Sequence, residues 1–211
     1  MIRLFIADDH AMVREGLRRI LADHSDVQVV GEAATADEVL QTLGRVDADV
    51  ALLDVSMPGP GILELLRVLR DIAPKTRALV VSMHPEEQYA TRVLRAGAAG
   101  YVNKDQPPER LVEAIRKAAR GGRFVSPELA EVLAAALESG QTEEPSVAGL
   151  SDREFEVLRL LGSGKSLKRI AAQLGLSPKT ISTYRLRIME KLRLRTTAEL
   201  IRYAIEQGLV Q

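Results

Sequence analysis

The chain has 211 residues, of which 46% are apolar and 27% charged, a composition typical of a globular protein with one large or two smaller domains. The lack of cysteine excludes disulfides and thiolate metal sites. No apolar run approaches the roughly 20 residues that span a bilayer. Together these features predict a cytoplasmic protein with no membrane partner. The formal net charge is zero, yet residues 1–148 carry 17 basic and 23 acidic residues, whereas residues 149–211 carry 12 and 6. This split predicts an acidic module joined to one that binds an anionic partner.

Short runs of aliphatic and β-branched residues alternate with helical patterns over the first 120 residues. The predicted strands are 3–7, 27–33, 49–54, 77–83 and 100–104, and the predicted helices are 11–22, 36–43, 62–70, 87–96 and 108–119. Five strand–helix repeats predict an α/β fold with a five-stranded, parallel, doubly wound sheet. In such a sheet, ligands bind outside the carboxyl ends of the strands.

Chemically active side chains stand at the ends of four of these strands. Asp8 and Asp9 follow the first strand, and Asp54 ends the third in "VALLDVSMPGPG". If these strands are neighbours, the three carboxylates repel one another unless a hard cation such as Mg²⁺ compensates. Ser82 and Lys104 add a hydroxyl and a cation, which together with the acids suit a phosphoryl group. The alternative is five unrelated residues, but their placement at successive strand ends favours one site with Asp54 as nucleophile or phosphoacceptor.

Residues 1–120 resemble the receiver domain of two-component response regulators. The matching residues are "ADD" at 7–9, "LLDVSMPG" at 52–59, Ser82 and "GYVNK" at 100–104. The resemblance implies that Asp54 accepts a phosphoryl group from a sensor histidine kinase. It further implies a set of supporting roles: Mg²⁺ held by Asp8, Asp9, Asp54 and the backbone carbonyl of Ser56, phosphoryl oxygens held by Ser82 and Lys104, and a rotamer switch at Tyr101. A buried core tyrosine is the alternative for Tyr101.

The loop after the third strand departs from the family pattern. Here "MPGPG" has one residue fewer before Gly61 than family members usually show. Pro60 also fixes its own φ and restricts the backbone conformation of Gly59. We therefore expect a tighter loop beside Asp54 and, as a hypothesis, altered kinase pairing or phosphoryl lifetime.

The chain divides at a polar, acidic segment without helical period, "ESGQTEEPSVAG" at 138–149, which is typical of a linker. We accordingly predict a receiver domain over 1–122, a linker region over 123–148 and a second domain over 149–211. This second domain is predicted to be all-α with four helices. Ser151 and Glu154 form a capping box, Gly175 ends one short helix, and Ser177 with Pro178 opens the next. Helix, tight turn and capped helix is the helix-turn-helix pattern.

The helix that begins at Pro178 has two distinct faces. Its predicted core residues are Ile181, Tyr184, Ile188 and Leu192. The residues predicted to contact DNA are Lys179, Thr180, Ser182, Thr183, Arg185, Leu186, Arg187 and Lys191. The short polar groups and Leu186 would contact base edges, while the cations would contact phosphates. The alternative is a basic face that is only solvated.

Residues 149–211 resemble the LuxR-type helix-turn-helix in "LSDREFEVLRLL", "IAAQLGLSPKTISTYRLRIMEKL" and "TTAELIRYAI". The whole chain therefore resembles a response regulator of the NarL/FixJ type. The resemblance implies a dimer contact at Leu200, Ile201 and Tyr203, for which core packing is the alternative. Arg193 departs from the family, where Gly or Asn is common after "KL", so either the helix ends differently or Arg193 adds a phosphate contact.

These features predict a transcription regulator that is not an enzyme. Phosphorylation at Asp54 would shift it toward a homodimer that binds promoter DNA. A phosphatase or phosphotransferase using a covalent aspartyl phosphate is the rival, but Ser56 stands where such an enzyme would have its second acid. A DNA-binding protein whose receiver serves only as an interaction module is the third possibility.

Overall fold

The computed structural model of the protein describes residues 1–83, 86–127, 129–131 and 147–210. The chain divides into two structural units, Met1–Leu133 and Ala134–Gln211. Most of the predicted linker region, residues 132–146, lies outside the described residues.

The first unit is an alternating α/β structure. Its strands are β1 (Ile2–Ala7), β2 (Val27–Ala33), β3 (Val50–Asp54), β4 (Arg77–Ser82) and β5 (Gly100–Asn103). Its helices are α1 (Ala11–Ala22), α2 (Ala36–Thr42), α3 (Ile62–Ile72), α4 (Glu86–Ala96) and α5 (Pro108–Ala119). The strands form one sheet in the order β2-β1-β3-β4-β5, and every pairing is parallel. The predicted doubly wound sheet is confirmed, with each strand end within one residue of its expected position.

The sheet is buried on both faces, which explains the continuous apolar runs in the sequence. All five residues of β3, the central strand, are buried. One core cluster joins Leu4, Leu52 and Leu79 of the sheet to Val112 and Ile115 of α5. This packing fixes the strand ends, and with them the positions of the polar side chains that follow.

The first unit extends past the predicted boundary at residue 122. Phe124 and Leu129 are buried, and the Phe124 N–H donates to the Ala99 carbonyl at 2.7 Å. Residues 127 and 129–131 are helical, and Ser126 caps them by accepting the N–H of Leu129 while its hydroxyl donates to Glu86 of α4 at 2.6 Å. The beginning of the predicted linker region therefore belongs to the packed first unit.

The second unit consists of a short 3₁₀ turn (Val147–Gly149) and the helices α6 (Asp152–Gly162), α7 (Leu167–Gln173), α8 (Pro178–Lys191) and α9 (Thr197–Glu206). The predicted capping box at Ser151 and Glu154 is present, and Ser177 caps α8, which has Pro178 in its first turn. Gly175 takes a φ of 63° in the turn between α7 and α8, a conformation that glycine adopts at little cost. The expected four-helix unit with a helix-turn-helix is confirmed. Across the described part of the chain, no helix has the length and apolar character needed to cross a bilayer.

Candidate functional site

The sheet brings Asp8 and Asp54 to one place. Ala7 pairs with Leu53 in the β1–β3 register, so the residues that follow them, Asp8 and Asp54, lie side by side at this edge of the sheet. The ammonium of Lys104, which follows β5, lies 2.6 Å from Asp8 Oδ2 and 2.9 Å from Asp54 Oδ1. Three strands thus position two carboxylates around a single cation, as the strand-end pattern predicted.

Asp54 is held in a nearly closed environment, with 4% of its surface exposed. The Ser56 N–H donates to Asp54 Oδ2 at 3.0 Å and fixes the carboxylate at the strand end. Burial raises the pKa of Asp54, and Lys104 opposes that rise. For Lys104, burial alone would lower the pKa, but the charge of Asp54 and the bonds to both carboxylates raise it overall. The lysine therefore stays charged and acts as the counterion of this pair.

The carboxylate of Asp9 contacts the imidazole of His10. Its carboxylate lies 2.9 Å from His10 Nδ1, and the same nitrogen lies 3.4 Å from Asp8. The candidate ligand atoms of Asp8, Asp9 and His10 all lie within 4.8 Å of one another. The carboxylates of Asp8 and Asp9, of which Asp8 shares Lys104 with Asp54, supply oxygen ligands of the kind that suits Mg²⁺.

Sequence reasoning did not identify His10 and Arg14 as neighbours of the site. The His10 N–H donates to Asp8 Oδ1 at 2.9 Å, and Arg14 donates to the Asp8 carbonyl at 2.6 Å. The direct succession "ADDH" was the available signal for His10. Nothing in the pattern marked Arg14, which reaches the loop from the first turn of α1.

Ser82 and Tyr101 are completely buried behind the acids. The Tyr101 hydroxyl is hydrogen-bonded to the Ser82 side chain, and burial raises the pKa of the tyrosine well above its usual range. Tyr101 is therefore a core residue here, and its polar end contacts the serine that was predicted to hold a phosphoryl oxygen.

The short "MPGPG" loop is fixed against the beginning of α2. The Pro58 carbonyl accepts the N–H of Ala36 at 2.9 Å, and Gly59 takes a φ of 113°. A Cβ on Gly59 would come within 3.3 Å of both Ala36 and Asp37, so glycine is required by conformation and by space. The loop has a defined geometry, while its effect on kinase pairing or phosphoryl lifetime stays a prediction.

Helix α8 separates its faces as expected. Ile181, Ile188 and Leu192 are buried and Tyr184 is half-buried. Of the residues predicted to contact DNA, five are exposed: Lys179, Thr183, Leu186, Arg187 and Lys191. Leu186 exposes 58% of its surface.

The other members of the predicted DNA-contacting set are less accessible. Thr180, Ser182 and Arg185 are partly buried, and the Thr180 hydroxyl bonds that of Ser177 at 2.8 Å in the helix cap. Lys191 is exposed, but its ammonium lies 2.7 Å from the nearly buried carboxylate of Glu154. A lysine that leaves this carboxylate for DNA gives up that ion pair, so its contact with DNA stays a prediction.

Part of the predicted dimer contact is also wrong. Leu200 is completely buried in the core of the second unit, where α9 packs against α6, so a partner chain does not reach it. Ile201 and Tyr203 are half-buried, and the Tyr203 hydroxyl is hydrogen-bonded to the backbone of Val147. A large apolar residue that α9 exposes is Ile205, 56% exposed, which the sequence analysis did not select.

Arg193 keeps the left-handed backbone that Gly or Asn would adopt, with a φ of 54°. Its N–H donates to the Glu190 carbonyl at 3.2 Å, and the Leu194 N–H donates to the Met189 carbonyl at 2.8 Å. These two bonds form a Schellman cap. The expectation of a differently shaped helix end is therefore wrong. Arg193 adopts a left-handed backbone conformation that is unfavourable for arginine.

Two family models match the chain. Residues 4–116 match the response regulator receiver domain, and residues 148–204 match the bacterial regulatory proteins of the luxR family. The first match alone covers more than half of the chain. Each matched range lies within one of the two structural units described above.

Named relatives agree with both matches. The response regulator GacA of Pseudomonas aeruginosa is 39% identical over 210 residues, which cover 100% of this chain and 98% of the relative. The response regulator UvrY of Escherichia coli is 37% identical over 210 residues, covering 99% and 96%. Among solved structures, RcsB of Salmonella enterica serovar Typhimurium, bound to promoter rprA in the presence of the phosphomimetic BeF3-, has 30% identity and a TM-score of 0.75, covering 96% of this chain and 97% of that one.

Proposed function

The chain belongs to the response regulators that join a receiver domain to a LuxR-type DNA-binding domain, and from that membership we propose that Asp54 is its phosphoacceptor. It is a phosphorylation-regulated transcription factor, and the proposal concerns the residues that perform this function. The observation that carries it is the buried Asp54 carboxylate at the end of β3, beside Asp8 and bonded to Lys104.

The transfer requires a nucleophile and a way to balance charge. An oxygen of Asp54 forms a bond to phosphorus while the P–N bond of the kinase phosphohistidine breaks, and the imidazole leaves with the bonding electron pair. The Ser56 N–H holds one Asp54 oxygen and thereby orients the other. Lys104, already between the two acids, would hold a phosphoryl oxygen after a small movement of its flexible side chain.

Mg²⁺ is the cofactor that fits this site, held by Asp8, Asp9, Asp54 and the Ser56 carbonyl. When bound, it would neutralise the charge of the phosphoryl oxygens. The neighbouring carboxylates of Asp8 and Asp9 support this assignment, and the shared contact with Lys104 places Asp54 next to Asp8. The imidazole of His10, the third member of the group around Asp8 and Asp9, is a poor ligand for a hard cation.

Ser82 and Tyr101 would couple phosphorylation of Asp54 to a structural change in the rest of the first unit. In the present arrangement the serine hydroxyl bonds the tyrosine hydroxyl. If Ser82 turns its hydroxyl to a phosphoryl oxygen, the buried Tyr101 loses that hydrogen bond. A buried hydroxyl without a partner is costly, which favours a new position of Tyr101.

The output would be binding to promoter DNA through α8. Lys179, Thr183, Leu186 and Arg187 form an exposed face on the helix that enters the major groove in helix-turn-helix proteins. Phosphorylation is proposed to favour a homodimer with Ile201, Tyr203 and Ile205 at its contact. The proposed setting is the cytoplasm, where a sensor histidine kinase and the promoter DNA are both accessible.

No feature of the site favours the phosphatase or phosphotransferase alternative. Ser56 stands two residues after Asp54, where a general acid would be needed to protonate a leaving group. We therefore propose a protein whose own phosphoryl group is the signal rather than a reaction product.

The test is the intact mass of the protein after incubation with acetyl phosphate and Mg²⁺. We expect one added phosphoryl group on the natural protein and none on Asp54→Asn, which keeps the size of the side chain but lacks the nucleophile. Labelling of both proteins, or of neither under conditions that label another receiver domain, would contradict the assignment.

A further inference from the structure

Arg14 holds the peptide unit that joins Asp8 to Asp9. It lies in the first turn of α1, and its guanidinium donates to the Asp8 carbonyl at 2.6 Å. Because a peptide unit is planar, a bond that fixes this carbonyl also fixes the direction in which the chain continues to Asp9. The two carboxylates assigned to Mg²⁺ in the proposed function therefore stand on either side of a peptide that Arg14 orients.

The other polar groups of Asp8 are held by the sheet. Its N–H donates to a carbonyl of β2 at 3.2 Å, and its carboxylate accepts from Lys104 at 2.6 Å. The register of β1 with both neighbouring strands ends at Ala7, so the Asp8 carbonyl lies beyond the last paired residue. Arg14 supplies the bond that holds this carbonyl. Asp9 lies one residue farther from the sheet, with 29% of its side chain exposed, and depends on that bond for its position.

Glu32 of β2 fixes Arg14 in turn. Arg14 Nε lies 3.3 Å from Glu32 Oε2, and Arg18, one turn later on α1, lies 3.3 Å from the other oxygen, Oε1. The side chain of Arg14 is 19% exposed, whereas that of Arg18 is 57% exposed. A planar guanidinium that bonds a carboxylate through one nitrogen and a carbonyl through another has few orientations left. Arg14 is therefore preorganised, and Arg18 is its natural control because it has the same charge and the same carboxylate partner.

The charge of Arg14 and its hydrogen bond have opposite effects on a cation site. A positive charge near the carboxylates repels Mg²⁺, so removal of the charge would favour binding of the ion. The hydrogen bond orients the peptide between two ligands, so its removal would disfavour binding. The sign of the change in Mg²⁺ affinity therefore shows which effect is larger.

We propose that Arg14 is a positioning residue for Mg²⁺, which holds the Asp8–Asp9 peptide so that both carboxylates face the same ion. The inference rests on the proposed function, since it takes the site beside Asp54 as the place where Mg²⁺ binds. Mg²⁺ demands a nearly ideal octahedral arrangement of its ligands, and small changes in their position are costly. Removal of a group that orients a metal ligand typically weakens metal binding by about 10- to 100-fold.

The experiment titrates MgCl₂ into the full chain at constant ionic strength and follows the backbone amide NMR signals of Asp9 and Ser56. The variants are Arg14→Gln and Arg14→Lys, and the control is Arg18→Gln. We expect Arg14→Gln to bind Mg²⁺ about 10- to 100-fold more weakly than the natural protein. Arg14→Lys keeps the charge but lacks the planar fork that reaches both acceptors, so we expect a loss of the same sign. Arg18→Gln should keep the natural affinity.

Urea unfolding of each variant separates loss of structure from loss of the ion. Natural or tighter Mg²⁺ binding in Arg14→Gln, or in Arg14→Lys if the first variant does not fold, would overturn the proposal. An equal loss in Arg18→Gln would also overturn it, since that would reflect the network around Glu32 rather than the bond to Asp8. Binding by the natural protein without a loss in the Arg14 variants would reject only the positioning role. No binding by the natural protein would reject the proposed Mg²⁺ site itself.

Discussion

Lys104 determines whether two buried acids can lie side by side. Its ammonium contacts Asp8 and Asp54, whose side chains are 2% and 3% exposed. Without it, two carboxylates in a poorly solvated place would favour protonation of one of them. The residue proposed to hold the phosphoryl group thus also opposes the rise that burial causes in the pKa of the proposed acceptor, Asp54.

The left-handed conformation of Arg193 predicts a stabilising substitution. Arg193→Gly removes the steric cost of a φ of 54° but increases the freedom of the unfolded chain, for a net gain of roughly 0.5–1 kcal/mol. Urea unfolding followed by the NMR signals of the second unit measures this gain. Arg195→Gly is the control, because Arg195 has no positive φ. Equal or lower stability of Arg193→Gly would show that the arginine side chain offsets its backbone cost.

The loop beside the phosphoacceptor supplies a second prediction at this scale. Insertion of one residue after Gly59 lengthens the segment between the Pro58 carbonyl, bonded to Ala36, and the beginning of α3. We expect changed rates of phosphorylation from acetyl phosphate and of subsequent dephosphorylation, followed by intact mass over time. A second insertion near Gly44, between α2 and β3, serves as control. Unchanged rates in the Gly59 insertion would contradict a functional role for the short loop.

At the scale of helices and strands, local pattern predicted most of the molecule. The apolar runs of β3 and β4 and the periodic stripe of α5 depend on side chains within one segment, and these elements formed within a residue of expectation. Strand-end residues were also predictable, because parallel strands present their carboxyl ends at one edge. Asp8, Asp54 and Lys104 meet there for that reason.

What the sequence did not predict depends on contacts between elements. Periodicity identifies the apolar residues of α9, but not that α6 packs against the face with Leu200 and leaves Ile205 exposed. Likewise, a lysine at the end of α8 is equally suited to a phosphate or a carboxylate until α6 brings Glu154 to it. The burial of Ser126 against α4 is of the same kind, since "SPEL" indicates a helix cap but not its partner Glu86.

The Glu154–Lys191 pair predicts how the second unit responds to acid. Burial alone would raise the pKa of Glu154, but bonds from Lys191 and Ser151 lower it overall. Because the folded pKa lies below the unfolded value, the pair stabilises the unit above about pH 4.5 and stops doing so as the pH falls through the folded pKa. We expect Glu154→Gln to cost about 1–2 kcal/mol at neutral pH and progressively less in acid.

Urea unfolding of the second unit at neutral and acidic pH measures this difference. Glu206→Gln is the matched control, because its partner Arg202 is 3.6 Å away on an exposed surface, where such pairs contribute about 0–1 kcal/mol. A stability loss in Glu154→Gln that is independent of pH would contradict the charge-pairing account and point to packing instead.

For the whole molecule, the charge split favours different partners for its two parts. The acidic part contains the proposed phosphoryl site, and residues 149–211 have twice as many basic as acidic residues. A basic unit binds DNA with an affinity that falls steeply with salt. A second copy of the chain doubles these contacts, which is why the proposed dimer matters for the output.

The exposed Ile205 offers a test of that dimer. Ile205→Glu changes a side chain that is 56% exposed, so we expect stability within about 0.5 kcal/mol of the natural protein. On DNA with two half-sites, the phosphorylated variant should bind mainly as a monomer in analytical ultracentrifugation, because a charge is placed in the apolar contact. Ile72→Glu on α3, also exposed, is the control. Natural dimer formation by Ile205→Glu would place the contact elsewhere.

The most direct measurement of the central claim is the DNA affinity of the natural protein and of Asp54→Asn, each before and after treatment with acetyl phosphate and Mg²⁺. The duplex is one selected from a random pool by the treated natural protein. We predict that treatment raises the affinity of the natural protein by about 5- to 150-fold, a usual size for coupling between two sites, and leaves Asp54→Asn unchanged. An equal affinity before and after treatment, or the same increase in Asp54→Asn, would contradict control of DNA binding through Asp54.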